Sequence, residues 1–482
     1  MKKYSSFADI KTALSNGDTS CKELVNYYLK QIESQKHLNV FLEVYEEEAL
    51  KRAEEIDQKI AEGTAGKLAG MVIGHKDVIC YKDHHIQAGS QILDGFVSQY
   101  SATVIENLLA EDAIIIGRQN CDEFAMGSTN ENSSFGPTLN AAAETRVPGG
   151  SSGASASAIA ADMCLISLGS DTGGSVRQPA SFCGVVGLKP TYSRISRHGL
   201  IAYASSFDVI GILSHNVADA AEVLEVMAGP DEFDATVSKE KVGKYAKALS
   251  KNEKYKIGYI KETIEAEGIS EDVKANFIET VEQLKADGHE VEAVDFPMLE
   301  YVLPTYYILI TAEASTNLSR FDGVRYGYRS PDAKDVESLF KKSRSEGFGE
   351  EVRRRIMLGT FVLSASYYDA YFTKAQKVRR LVKEETEKLL TQYDFLISPT
   401  SPTPAMELGS FSESSALEMY LADLYTVQAS VAGIPAISVP NGKGDHNLPL
   451  GIQIMAGAFE EEKLLAFAHN FEKNILADQT KG

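Results

Sequence analysis

Apolar positions along this chain change period several times, and each change marks an element. In residues 1–65, Leu24, Tyr27, Tyr28 and Ile32, and then Ala49, Ala53, Ile56 and Ile60, recur at helical intervals among charges, which predicts helices. Gly70–Lys76 (GMVIGHK) reads as a short apolar strand ending on a lysine. Thr103–Ala110 followed by Ala113–Gly117 reads as a helix and then a strand. Residues 121–136 (CDEFAMGSTNENSSFG) read as a polar loop with a short helix. Residues 154–161 (ASASAIAA) predict a helix almost without side-chain bulk, suited to a tightly packed interior. Met163–Leu168 predicts a buried strand.

A second region opens near residue 225. Lys256–Ile260, Asp272–Leu284 and Glu290–Val294 spell strand, helix, strand. Helices are expected at 301–320 and 351–392, separated by a charged insertion. Then come a strand at Phe395–Ser398, a helix through Leu417–Val431, strands at Pro435–Val439 and Leu450–Met455, and a terminal helix at Glu460–Phe471. This alternation predicts a layered α/β fold without internal repeats. The divisions are a helical segment over 1–65, a core over 66–225 and an α/β part over 226–482 completing the same sheet, the whole forming one large compact unit.

Composition narrows the function. The chain has 482 residues, 44% of them apolar and 24% charged, as in a soluble globular protein. No apolar run reaches the roughly 20 residues of a membrane span, and the N-terminus lacks a signal-peptide core, so a cytoplasmic protein is expected. A net charge of −20 argues against gripping nucleic acid unaided. The five cysteines are scattered without a C-x-x-C pair, which points to reduced thiols and no metal site. No Walker A loop or strand-to-helix G-x-G-x-x-G occurs, so nothing supports a nucleotide site.

The chemistry concentrates in Pro148–Pro190. Two Gly-Gly-Ser turns, at Gly149-Gly150-Ser151 and Gly173-Gly174-Ser175, bracket the small-residue helix and the buried strand. Glycines there let the backbone bend sharply and bring N–H groups close to a substrate atom. Gly149–Gly153 matches the G-x-S-x-G nucleophile elbow but lacks the strand that motif needs. Ser175 has the better context, after a strand and before residues that open a helix. A plain glycine-rich turn remains the alternative. Serine needs a base at neutral pH. None of the nine histidines lies in a triad signature, whereas Lys76 ends an interior strand, where burial can lower its pKa. A solvated lysine at a strand end is the bland alternative. The S-x-x-K spelled by Ser238–Lys241 lies in a charged, exposed stretch and is read as coincidence.

With G-G-S-S-G around Ser151, D-T-G-G-S before Val176, and Lys76 upstream, the chain resembles the amidase signature family. Its large mixed twisted sheet, with helices on both faces, is then the expected fold. The resemblance implies Ser175 as nucleophile, Ser151 on a cis peptide bond after Gly150 as proton relay, and Lys76 as base. Backbone amides of Thr172, Gly173 and Gly174 would form the oxyanion hole. Further segments, Asp122–Asn132, Ser193–Gly199, Ser205–Gly211, Arg320–Gly327 and Tyr420–Thr426, look like one branch of that family. That branch comprises the A subunits of glutamyl-tRNA(Gln) and aspartyl-tRNA(Asn) amidotransferases. It implies glutamine as substrate, held by Tyr306, Arg355 and Asp423, with the register among Arg353, Arg354 and Arg355 open by one residue. It also implies partner B and C subunits, with ATP, Mg²⁺ and the misacylated tRNA on the B partner and no cofactor or metal on this chain. Ala154 stands where the family usually has glycine, and Asn140-Ala141-Ala142 departs from its usual N-P-W or N-P-x, which bears on the packing of the loop before Ser151. A stand-alone amidase with the same triad and a non-catalytic scaffold protein remain as alternatives.

Overall fold

The computed structural model describes residues 3–266, 268–410 and 423–479. Their strands are β1 (Phe41–Val44), β2 (Val72–Lys76), β3 (Ile114–Gln119), β4 (Ile166–Asp171), β5 (Val186–Lys189), β6 (Val209–Ser214), β7 (Lys256–Ile260), β8 (Glu290–Val294), β9 (Phe395–Pro399), β10 (Ala436–Lys443) and β11 (Pro449–Met455). They form one sheet in the order β1-β3-β2-β4-β6-β5-β10-β11-β9-β7-β8. The sheet is mixed. Parallel pairs β3–β2–β4 and β9–β7–β8 flank an antiparallel centre. β2, β3, β4 and β6 are buried along their whole length, which matches their near-continuous apolar runs. Helices cover both faces. Gly153–Ala160 and Arg177–Cys183 pack together with central strands, and Val217–Met227 and Glu461–Gln479 pack together with strands of the same centre.

β7 and β8 fall where the sequence places them. Several elements differ. Residues 1–65 are mainly helical, but they also supply β1, a four-residue edge strand too short to show a period. β4 runs from Ile166 to Asp171, three residues beyond the expected Met163–Leu168. Ser170 and Asp171 are polar yet pair with Ile210 and Val209 of β6, so the apolar run ends before the strand does. The expected helix at 351–392 is two, Glu350–Val362 and Lys374–Leu390, joined through a π-helical turn at Asp369–Thr373. Of the helix expected at Leu417–Val431, residues 417–422 lie outside the described residues, and the helix observed is Val427–Ala432.

The topology matters because β2 and β4 are parallel neighbours, so their C-terminal ends open on the same edge of the sheet. Lys76 ends β2 and Asp171 ends β4. The helix Gly153–Ala160 packs against both strands and presents its N-terminal turn, Ser151-Ser152, at that edge.

Candidate active site

Lys76 is completely buried and forms no ion pair among the described residues. Its Nζ lies 2.7 Å from Ser151 Oγ, 2.9 Å from Ser152 Oγ and 2.9 Å from Ser170 Oγ. Burial pushes its pKa down to about 8, while Cys121, Asp122, Asp171 and Asp208 oppose the shift. A neutral fraction is therefore available close to physiological pH. The Gly150–Ser151 peptide is cis. The Gly150 N–H donates to Gln178 Oε1 at 3.0 Å, which holds that turn to the helix following Ser175.

Ser175 sits on the turn between β4 and the helix Arg177–Cys183 and is partly exposed, unlike Lys76 and Ser151. Its carbonyl accepts the Ser152 N–H at 3.2 Å, so the two Gly-Gly-Ser turns meet. The buried Asp171 carboxylate shapes the loop. It accepts the N–H of Gly174 at 2.9 Å and of Val176 at 3.2 Å, and it pairs with Arg177 through Nε at 3.0 Å and Nη2 at 2.9 Å. Burial raises the Asp171 pKa, but the Arg177 guanidinium outweighs it and holds the carboxyl below the usual range. Arg177, also fully buried, donates onward to Thr426 O at 2.7 Å and to Ser430 Oγ at 3.1 Å.

Of the three expected oxyanion donors, the Gly174 N–H is thus already turned back onto Asp171. That geometry departs from the expectation. The carboxylate at the end of β4 lies close enough to close a local turn, and it takes the amide first. Both glycines of the turn are dictated by space. A Cβ at Gly173 would stand 2.2 Å from the Tyr306 hydroxyl, and one at Gly174 (φ +137°) would stand 2.0 Å from Thr426 Oγ1.

Tyr306 therefore lies against the Ser175 loop, buried, with its ring edge-on to Phe207. Arg355 is buried, whereas Arg353 is exposed and Arg354 half-buried, which singles out Arg355 among the three arginines. Arg355 Nε donates to Glu351 Oε1 at 2.7 Å and Nη1 to the Tyr203 hydroxyl. Asp423 accepts hydrogen bonds from Ser128 Oγ at 3.0 Å and from the Tyr307 hydroxyl at 2.8 Å. Burial pushes its pKa up to about 6, with those hydroxyls and Arg355 pulling the other way. Arg355 also stands 5.7 Å from the Tyr307 ring centre, so one tyrosine touches both the guanidinium and the carboxylate. A guanidinium and a carboxylate thus both approach Tyr307, whose neighbour Tyr306 lies against the Ser175 loop.

Sequence reasoning missed Ser152, Ser170, Asp171 and Arg177 around the lysine and the loop, and Ser128, Tyr203 and Tyr307 around Arg355 and Asp423. A signal existed for part of this set. Asp171 and Arg177 lie within the same short run as Ser175, and Ser128 lies within the Asp122–Asn132 segment. Tyr203 and Tyr307 carry no local signal, because their partners come from distant parts of the chain.

Residues 23–465 match the family model described as Amidase. The A subunit of glutamyl-tRNA(Gln) amidotransferase from Chlorobium phaeobacteroides is 50% identical over 476 residues, covering 98% of this chain and 100% of that protein. The crystal structure of the A subunit of glutamyl-tRNA(Gln) amidotransferase from Thermotoga maritima is 39% identical, with a TM-score of 0.77 over 94% of this chain and 92% of that one. A bacterial aryl acylamidase of the amidase signature family shares the fold at 20% identity, with a TM-score of 0.85 over 98% and 96% of the two chains.

Proposed function

The chain belongs to the amidase family, and from that premise we propose that it is the glutaminase component of a tRNA-dependent amidotransferase. The observation that carries the chemistry is the buried Lys76 set among three hydroxyls and, among the described residues, without an ion pair. A neutral amine has two N–H bonds and one lone pair. Ser152 Oγ gives its own proton to Ser170 O at 3.1 Å, so towards Lys76 it can only accept. With the second N–H given to Ser170 Oγ, the lone pair falls to Ser151, whose hydroxyl then donates to the amine.

In this reading, Ser175 Oγ attacks the side-chain amide carbon of glutamine. Its proton passes to Ser151 Oγ, and the Ser151 proton passes to Lys76 Nζ. The oxyanion is met by the backbone N–H groups of Thr172 and Gly173, the Gly174 N–H being turned onto Asp171, and such a donor is worth about 3–4 kcal/mol when removed in comparable sites. Lys76 returns the proton through Ser151 to the leaving nitrogen, the C–N bond breaks, and ammonia departs from a glutamyl ester on Ser175. Water then attacks the ester with the same groups acting in reverse, releasing glutamate.

Tyr306, Arg355 and Asp423 hold the amino-acid end of the substrate, the guanidinium on the α-carboxylate and the carboxylate on the α-ammonium. The ammonia serves a partner, the B subunit, which activates the glutamyl group on misacylated tRNA with ATP and Mg²⁺, while a small C subunit completes a heterotrimer. The net charge of −20 agrees with tRNA being gripped elsewhere. The test compares substrates. Asp423→Ala is expected to raise the KM for glutamine at least tenfold, as loss of a charged hydrogen-bond partner does, while moving the KM for butyramide little. Equal effects on both substrates would favour a stand-alone amidase.

A further inference from the structure

The segment Ser205–Gly211 holds none of the groups assigned above. In the fold it is a tight turn entering β6. Asp208 and Phe207 N–H groups both return to Ala204 O, at 2.9 and 2.8 Å. The Asp208 carboxylate is buried and has no ion pair among the described residues. It is held by hydrogen bonds alone. Oδ1 accepts the Thr172 hydroxyl at 2.7 Å, and Oδ2 accepts the N–H of Tyr203 at 2.9 Å and of Ala204 at 3.0 Å. A buried carboxylate without a cation is expensive to maintain, and burial pushes this one's pKa up to about 7. Such a group persists where its hydrogen bonds fix something that the fold needs.

What it fixes is visible at its two ends. Thr172 is the first residue of the loop that carries Ser175. Tyr203 accepts a hydrogen bond from Arg355 Nη1 at its hydroxyl, and the guanidinium lies 5.7 Å from the Tyr203 ring centre. Between those ends, Phe207 packs edge-on against Tyr306, with ring centres 5.7 Å apart. The same turn is anchored from outside, since Ser206 N–H donates to Glu313 at 2.9 Å and Arg379 donates to Ser206 Oγ at 2.7 Å. One carboxylate therefore joins the nucleophile loop to the residue that faces the substrate's carboxylate.

We infer that Asp208 is a positioning residue that locks the Ser175 loop and the Arg355 side of the glutamine clamp into one register, so that glutamine is seated with its amide carbon at Ser175. The inference rests on the reading of Arg355 as the partner of the α-carboxylate. Without that linkage, the loop and the clamp would shift independently, and a substrate that spans both would suffer while one that touches only the loop would not.

The experiment uses the assembled amidotransferase complex and two substrates, L-glutamine and butyramide. Thr172→Val keeps the side-chain shape and removes only the hydroxyl bound to Asp208. It is expected to raise the KM for glutamine about fivefold to tenfold, and to raise the KM for butyramide far less, although Thr172 lies on the loop and not in the clamp. Tyr203→Phe is expected to raise the glutamine KM similarly. The double variant is expected to show less than the product of the two single effects, because both cut the same connection. Asp208→Ala, which leaves the Thr172 hydroxyl without that partner, should in a folded complex abolish the further effect of Thr172→Val on glutamine KM. Thr172→Val shifting both substrates alike, or the two single effects multiplying, overturns the inference. An Arg355→Met control separates the causes. An unchanged glutamine KM there removes the clamp reading and the inference with it, whereas a raised KM alongside multiplying single effects removes the inference alone.

Discussion

A lysine that is to accept a proton near neutrality must first lose its own, and Lys76 meets the two physical conditions for that. It is removed from water, and among the described residues no carboxylate approaches to hydrogen-bond distance of its amine. Its pKa, pushed down to about 8 by burial, sets the sign of the pH dependence. The neutral amine is the working form, so glutaminase kcat/KM should rise with pH and level off above about 8, falling tenfold per unit on the acid side. A steady-state pH–rate profile reads this directly, and a profile flat from pH 6 to pH 9 would contradict it. Lys76→Ala should lower kcat by roughly 10²–10⁴, the range for loss of a general base. Local pattern offered Lys76 and Ser175 as candidates beside bland alternatives, and the resemblance to the amidase signature family added Ser151. Ser170 was not, because its role exists only where the ends of β2 and β4 come side by side.

At the scale of elements, the helix Gly153–Ala160 shows function overriding local preference. Ser152 stands at its N-cap, yet its hydroxyl does not cap the helix. That oxygen is engaged by Lys76 and Ser170, and Asn130 Oδ1 accepts the Ala154 N–H at 3.0 Å instead. The helix packs against β2, β4, β6 and the helix Arg177–Cys183, and only small residues allow that approach. Alanine at 154 fits this surrounding as a fully buried small residue. Ala156→Leu should therefore destabilise the chain by about 1–3 kcal/mol through overpacking, measured by urea unfolding. A change below about 0.5 kcal/mol, the size of an ordinary surface substitution, would mean that the helix is loosely packed. The compositional run announced this helix plainly. β1, β5 and β6 were not read from the sequence; β1 is a four-residue edge strand that is not buried, and β5 has only four residues in which to show a period. The end of β4 was misplaced for an instructive reason. Its last residues, Ser170 and Asp171, are polar because they face the lysine and the serine loop.

Across the whole molecule, groups far apart in sequence are brought to one edge of a single sheet. Lys76 comes from β2, Ser151 from the turn before the small-residue helix, Ser175 from the turn after β4, and the Arg355 and Asp423 side from helices and loops of the second half. The layered α/β alternation was legible, since helical and strand periods alternate along most of the chain. The strand order was not, because β10 and β11 insert between β5 and β9, a pairing that no local pattern encodes. Nor was the cluster of Tyr203, Tyr307 and Ser128, whose members are joined to Arg355 and Asp423 only in three dimensions. The central claim is that this convergence makes Ser175 the nucleophile and Lys76 its base. Mass spectrometry of the complex quenched during glutamine turnover tests it most directly. The account predicts a glutamyl adduct on the peptide carrying Ser175, lost in the Lys76→Ala variant. An adduct on any other residue, or undiminished acylation of Ser175 without Lys76, would contradict it.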